Sequence, residues 1–211
     1  MKEASWYNAD YFLRGQETKK SNYTDYRWLP EATRPYAFAL AGLLGMKAGA
    51  SLLDYGCARG YLVRALREVG VLAFGYDPSP WAIENCDPEI RGFISQRPPG
   101  RGGFYDFVIC KDVLEHLDTP ALSAATEALM DCTGDRLLIV VPLGNDEGEW
   151  IRPEDAADES HQRPWTLDQW HAYLSDYRPA GASLWASYHV PGIKRASSQV
   201  PFSTGYFIID R

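Results

Sequence analysis

Apolar positions along this chain keep changing rhythm between short strand-like runs and stretches of helical spacing. The clearest change begins at residues 51–55, a strand-like Ser-Leu-Leu-Asp-Tyr. Gly56-Cys57-Ala58-Arg59-Gly60 interrupts it, and residues 61–69 then take up helical spacing. This reads as strand, glycine turn and helix. The same alternation repeats downstream. Residues 71–77 form a second strand and 80–86 a short helix with Ser79 as its cap. Residues 90–95 form a weak third strand and 97–103 a Pro/Gly-rich loop in place of a helix. Residues 105–110 are a strand, 121–130 a helix, and 136–141 a continuously apolar strand of the kind covered on both faces. Thr166 opens a further helix. Residues 182–190 and 202–210 close the chain as an antiparallel pair.

Upstream, Tyr36, Phe38, Leu40, Leu43, Leu44 and Met46 make 31–47 helical, with Pro30 and Pro35 near its start and Gly49 after its end. Residues 1–30 are polar and aromatic without clean periodicity. They read as one short helix and a loop, an arm folded over a domain that spans 31–211. Residues 143–164 are a long polar loop, a length that more often carries function than not. Its acidic run, 154–159, reads as a solvated face.

Repeated strand–helix alternation implies an α/β fold, a doubly wound, mostly parallel sheet with helices on both faces. Such sheets bind ligands beyond the carboxyl ends of their strands. Asp54, Gly56, Asp77, Lys111, Asp112 and Pro142 all fall at or just past such an end.

Composition narrows the class. A chain of 211 residues with 45% hydrophobic positions suits one domain with a full core. No apolar run approaches the ~20 residues of a membrane span. The net charge of −7 disfavours nucleic acid as a partner. The four cysteines form no CxxC pair and the N-terminus has no signal-peptide pattern, so free thiols and a cytoplasmic location are expected. Seven Trp and 13 Tyr favour a flat apolar ligand or a broad contact surface.

The glycine loop lacks the third glycine of a dinucleotide fingerprint and the Gly-Lys-Ser/Thr of a triphosphate loop. A nucleoside carrying an amino-acid tail fits instead, with close backbone approach at Gly56 and Asp54 meeting an ammonium. Asp77, 23 positions after Asp54, is placed to accept both hydroxyls of a ribose. A nicotinamide-dependent oxidoreductase is the rival that shares such an acid.

With these residues in view, the chain resembles the class I S-adenosylmethionine-dependent methyltransferases. Leu53-Asp54-Tyr55-Gly56-Cys57-Ala58-Arg59-Gly60 is similar to their first motif and Tyr76-Asp77-Pro78-Ser79 to their second. Tyr105 through Leu117, containing Lys111-Asp112-Val113-Leu114-Glu115-His116, is similar to the fourth-strand motif of a branch with small-molecule, quinone and sugar O-methyltransferases. Leu138 to Pro142 and His161 to Thr166 match later landmarks of that branch.

The resemblance implies a Rossmann-like methyltransferase fold, a seven-stranded sheet with an antiparallel last strand. It also implies methyl transfer from S-adenosylmethionine to a small-molecule or sugar-like acceptor, on oxygen. Cofactor contacts are expected from Asp54, Gly56, Cys57, Gly60, Tyr76, Asp77, Pro78, Ser95, Lys111 and Asp112. Ser95 and Gln96 stand where the family often has an adenine-binding acid. His116 is the expected base and His161 its companion at the acceptor. No metal is expected beside S-adenosylmethionine; were one held, Asp112, Glu115, His116 and His161 are the candidate ligands, as in the small-RNA 2′-O-methyltransferases that this stretch also resembles. Tyr7, Tyr11 and Trp28 are candidates to close over the cofactor, and Arg14, Arg27 or Arg34 to meet its carboxylate. A methyltransferase-fold protein that binds the cofactor without turnover is the non-enzymatic alternative.

Overall fold

The computed structural model describes residues 2–100, 104–193 and 200–211. Part of the 97–103 loop, residues 101–103, lies outside them. Seven strands make one sheet in the order β3-β2-β1-β4-β5-β7-β6. They are β1 Ser51–Tyr55, β2 Leu72–Tyr76, β3 Ile94–Ser95, β4 Tyr105–Lys111, β5 Thr133–Pro142, β6 Ser183–Ser187 and β7 Thr204–Asp210. Pairing is parallel from β3 through β5, and β7 is antiparallel to both neighbours. The helices are α1 Ala9–Leu13, α2 Gly15–Thr18, α3 Pro30–Leu44, α4 Tyr61–Glu68, α5 Pro80–Glu84, α6 Thr119–Cys132, α7 Pro153–Ala156 and α8 Leu167–Tyr177.

Strand alternation decides which side chain reaches which face. Leu52, Phe107, Ile109, Leu138 and Val140 pack under Leu40 and Leu44 of α3 and Val63 and Leu66 of α4. Leu53, Tyr55, Val108, Leu137, Ile139 and Val141 face Leu122 and Leu129 of α6 and Trp170 and Leu174 of α8. Asp54 falls on the α3/α4 side by the same period. The chain runs outward from β1 to β3 and then crosses back to β4, so the crevice between β1 and β4 is the switch point where an open α/β sheet takes ligands.

The expected third strand shrinks to two residues. Pro88–Phe93 is a 3₁₀ turn instead, because Ile90 is drawn down onto Gly60, where an added Cβ would lie 2.5 Å from its Cδ1. The long polar segment also has structure, with α7 and a bridge between Gly144 and Trp150. α8 starts on a capping box made by Thr166 and Gln169. All four cysteines are buried free thiols. No helix among the described residues is long and apolar enough to cross a membrane.

Candidate functional site

The glycine turn after β1 is locked to the end of β2. Gly56 and Cys57 both donate backbone N–H bonds to the Tyr76 carbonyl, at 2.7 and 3.0 Å. Gly56 sits at φ +85°, and a Cβ there would lie 2.2 Å from Val113 Cγ2, so this position admits no side chain without a shift in the next strand's loop. Ala58 and Asp112 hold positive φ, 49° and 55°, without being glycine. Such strain concentrates at binding sites.

Above this turn lies a cavity of about 1250 Å³. Asp54, Gly56, Cys57, Asp77, Pro78, Lys111, Asp112 and His116 lie along its floor, and the arm and α3 close it with Tyr7, Tyr11, Tyr23, Tyr26 and Tyr36. Its volume exceeds the range of a single drug-sized ligand. Gly60, Tyr76, Ser95 and His161 do not line it. The Ser95 hydroxyl instead accepts from Arg97 N, and Gln96 reaches the Pro78 carbonyl. Of the three candidate arginines, all are ion-paired, Arg14 with Asp10, Arg27 with Asp25 and Arg34 with Glu68, and Arg27 alone of the three lines the cavity. Trp28 packs beside Tyr61 and under Arg64.

The donor set suits the expected nucleoside. Each Asp77 oxygen takes one backbone N–H, from Ala58 at 2.7 Å and Ser79 at 2.8 Å. A carboxylate oxygen has a second lone pair, so two acceptor sites remain for a vicinal diol. Burial raises Asp77 to about 6, against the pull of those two N–H groups. Burial raises Asp54 to about 7, with Lys111 opposing and Asp77 adding to the rise. A buried acid so poised favours an incoming cation such as an ammonium. Burial disfavours the Lys111 ammonium, but the adjoining Asp112 carboxylate together with Tyr36 and Tyr23 outweighs it and holds it charged.

Past the end of β4, Glu115, His116 and His161 bring one ligand atom each within 4.8 Å of one another. Glu115 Oε1 lies 3.8 Å from His116 Nε2 and 3.9 Å from His161 Nε2. Asp112, grouped with them from the sequence, belongs instead with Lys111, since the left-handed backbone at 112 turns its carboxylate onto the lysine. A clamp brings His161 in. Gln162 N donates to the Glu115 carbonyl at 2.8 Å, Gln162 Nε2 to the His116 carbonyl at 2.7 Å, and Arg163 Nε to the Leu117 carbonyl at 2.9 Å. His161 Nδ1 sits 2.8 Å from the Asp155 carbonyl, which can only accept. That nitrogen therefore donates, and Nε2 is the ring atom turned toward Glu115. His116 Nδ1 meets the Ser160 hydroxyl at 2.8 Å. Burial, then the adjacent His161, pulls His116 well below its usual range, so its ring is neutral at physiological pH.

Two acids from the run read as a solvated face are in fact buried. Asp155, 4% exposed, pairs with Arg152, and Asp158, 7% exposed, takes the Tyr11 hydroxyl. The Arg152–Asp155 pair, three positions apart, was the available signal for Asp155, whereas the partner of Asp158 lies 147 positions away.

Residues 28–180 match a family profile described as "Methyltransferase domain". The chain belongs to this family, the class I S-adenosylmethionine-dependent methyltransferases. It is 24% identical to the mitochondrial ubiquinone biosynthesis O-methyltransferase of Schizosaccharomyces pombe, matching 57% of each chain. It is 31% identical to the magnesium-protoporphyrin O-methyltransferase of a Synechocystis species, over 45% of each. The chain thus spans about half the length of the curated relatives it matches. The crystal structure of the magnesium protoporphyrin IX methyltransferase of Synechocystis with bound S-adenosylmethionine superposes with a TM-score of 0.58 at 20% identity, covering 86% of this chain and 80% of that one. That likeness carries the fold.

Proposed function

We propose that this protein transfers a methyl group from S-adenosylmethionine to an oxygen of a small-molecule acceptor. The observation that carries the reading is one cavity that Asp54, Asp77 and His116 all line. The two curated relatives, named for ubiquinone biosynthesis and for magnesium protoporphyrin, are both O-methyltransferases, which supports oxygen as the acceptor atom. The tyrosine-rich walls suit a flat, partly apolar acceptor.

When bound, S-adenosylmethionine supplies a methyl group on a sulfonium, already electrophilic. The protein's tasks are alignment and handling the acceptor's proton. Asp77 takes the ribose diol and Asp54 the ammonium, which fixes the direction of the cofactor along the cavity. The arm tyrosines exclude water above it. His116, the member of the Glu115, His116 and His161 group that lines the cavity, meets the acceptor hydroxyl, with Glu115 and His161 behind it.

A second element of this reading concerns a divalent cation. Two Nε2 atoms directed at one carboxylate oxygen are a fitting donor set, each ring braced through its other nitrogen. Bound there, a cation would acidify an acceptor hydroxyl. Glu115, His116 and His161 would hold it.

The test supplies labelled S-adenosylmethionine with phenolic, carboxylic and sugar-like acceptors, with and without a chelator. Labelled methyl ether or ester is the expected product, with turnover lost to the chelator and restored by magnesium or manganese. Cofactor binding without turnover across the panel would favour a non-catalytic binder. Turnover confined to RNA 3′ ends would move the chain to the RNA-modifying alternative.

A further inference from the structure

We propose that Tyr11, Asp158 and Ser160 form a positioning relay that carries closure of the N-terminal arm to His116. The inference rests on the role given above to His116. The chain of contacts is continuous. The Tyr11 hydroxyl donates to Asp158 Oδ2 at 3.1 Å, across 147 positions of sequence. Asp158 Oδ1 accepts from Ser160 N at 2.9 Å and from the Ser160 hydroxyl. The Ser160 hydroxyl meets His116 Nδ1 at 2.8 Å. All four residues are buried.

Proton counting gives the relay a direction. Asp158 is met by three donors, which suits a carboxylate. A serine hydroxyl has one proton and two lone pairs. With its proton committed to Asp158, Ser160 can only accept from the histidine. His116 therefore carries its proton on Nδ1 and keeps an Nε2 lone pair on the side of Glu115. The Tyr7 hydroxyl also lies beside Ser160, and the Tyr7 ring stands edge-on to His116 at 6.0 Å. Two side chains of the arm thus converge on the pair that sets the imidazole.

The arm is fastened at its cofactor end as well. The Ser79 hydroxyl donates to the Tyr7 carbonyl at 2.5 Å, and Ser79 N is bonded to Asp77. Arg59 Nη1, from the glycine turn, donates to the Tyr26 carbonyl at 2.9 Å. The segment that covers the cofactor acid also presents Tyr11 to Asp158. His116 is then correctly set only when the arm is docked. Tyr11, Asp158 and Ser160 are positioning residues.

The test reads the imidazole itself. The full chain is labelled with ¹⁵N-histidine, and long-range proton–nitrogen spectra are taken at neutral pH without added metal. Wild type is expected to show His116 protonated on Nδ1. In Asp158→Asn the amide can donate to Ser160, freeing the serine proton to turn toward His116, so the proton is expected to move to Nε2. Tyr11→Phe should lower kcat by roughly tenfold or more, the usual scale for a residue bracing a functional histidine, while S-adenosylhomocysteine affinity stays within about twofold. A wild-type His116 protonated on Nε2, or an unchanged tautomer in Asp158→Asn, would overturn the relay. Unchanged kcat in Tyr11→Phe would overturn its link to the arm. Failure of the methyltransferase reading would look different: no acceptor would be turned over, while the tautomer spectra would still read the relay.

Discussion

The carboxylate of Asp77 accepts the backbone N–H of Ala58 at 2.7 Å, tying the end of β2 to the glycine turn that follows β1. Ala58 is held at φ +49° by that bond, so the acid shapes the loop as well as facing the cavity. Asp77→Ala removes both functions. S-adenosylhomocysteine binding should weaken by about 1.5–3 kcal/mol, the scale of charged hydrogen bonds, when measured by calorimetry. Unchanged affinity would take Asp77 out of the cofactor site.

Asp54 makes cofactor binding depend on pH. Its folded pKa of about 7 lies far above the ~3.9 of an unfolded aspartate. Between those values the folded chain holds a proton that the unfolded chain has lost. Asp54 therefore lowers the stability of the ligand-free protein as pH rises from about 4 to 7, and the full cost persists above 7. An ammonium ligand needs the ionised form, so cofactor binding runs the other way. Affinity for S-adenosylhomocysteine should rise about tenfold from pH 6 to pH 8, and Asp54→Asn should flatten that rise. A profile equally steep in Asp54→Asn would assign the titration elsewhere.

Gly56 and Val113 are in contact across two strands' loops, and this predicts a coupling. Gly56→Ala places a Cβ 2.2 Å from Val113 Cγ2 at φ +85°, combining overlap with backbone strain. Each contributes about 1–3 kcal/mol, so denaturant unfolding should show a loss of roughly 3 kcal/mol. Val113→Ala in the same chain should recover the overlap part and leave the strain. Simple additivity of the two substitutions would show that the contact is not what restricts position 56.

The readability of the sequence divides along the range of each interaction. β1 and β4 were legible because their apolar runs, bounded by glycine or an acid, reflect local burial on two faces. Asp54 and Asp77 were legible because strand ends converge in a parallel sheet. Residues 90–95 misled because Ile90 and Ile94 are apolar in either conformation, and what decides between them is the fit of Ile90 against Gly60, 30 positions away. Asp155 and Asp158 read as solvated because charge in a polar loop is usually so. Their burial depends on Arg152 and on Tyr11, and the latter contact appears only after the arm folds back. The clamp that seats His161 beside Glu115 runs through backbone carbonyls, which leave no mark in side-chain identity.

Glu115, His116 and His161 should behave as one unit. Their facing atoms lie within 4.8 Å, and a group that holds one cation fails when any member is lost. Glu115→Gln keeps the shape but replaces the carboxyl group that faces both imidazoles with an amide. Turnover should fall by roughly 10²-fold in each of Glu115→Gln, His116→Ala and His161→Ala, with S-adenosylhomocysteine affinity changed little because Asp54 and Asp77 remain. The double variant Glu115→Gln/His161→Ala should lose about as much as either alone, since the second substitution removes a part already without function. Multiplicative losses would mean that the residues act independently, with His116 serving as a lone base. Losses of only a few-fold in all three would return the cluster to a structural role in seating the 158–163 segment.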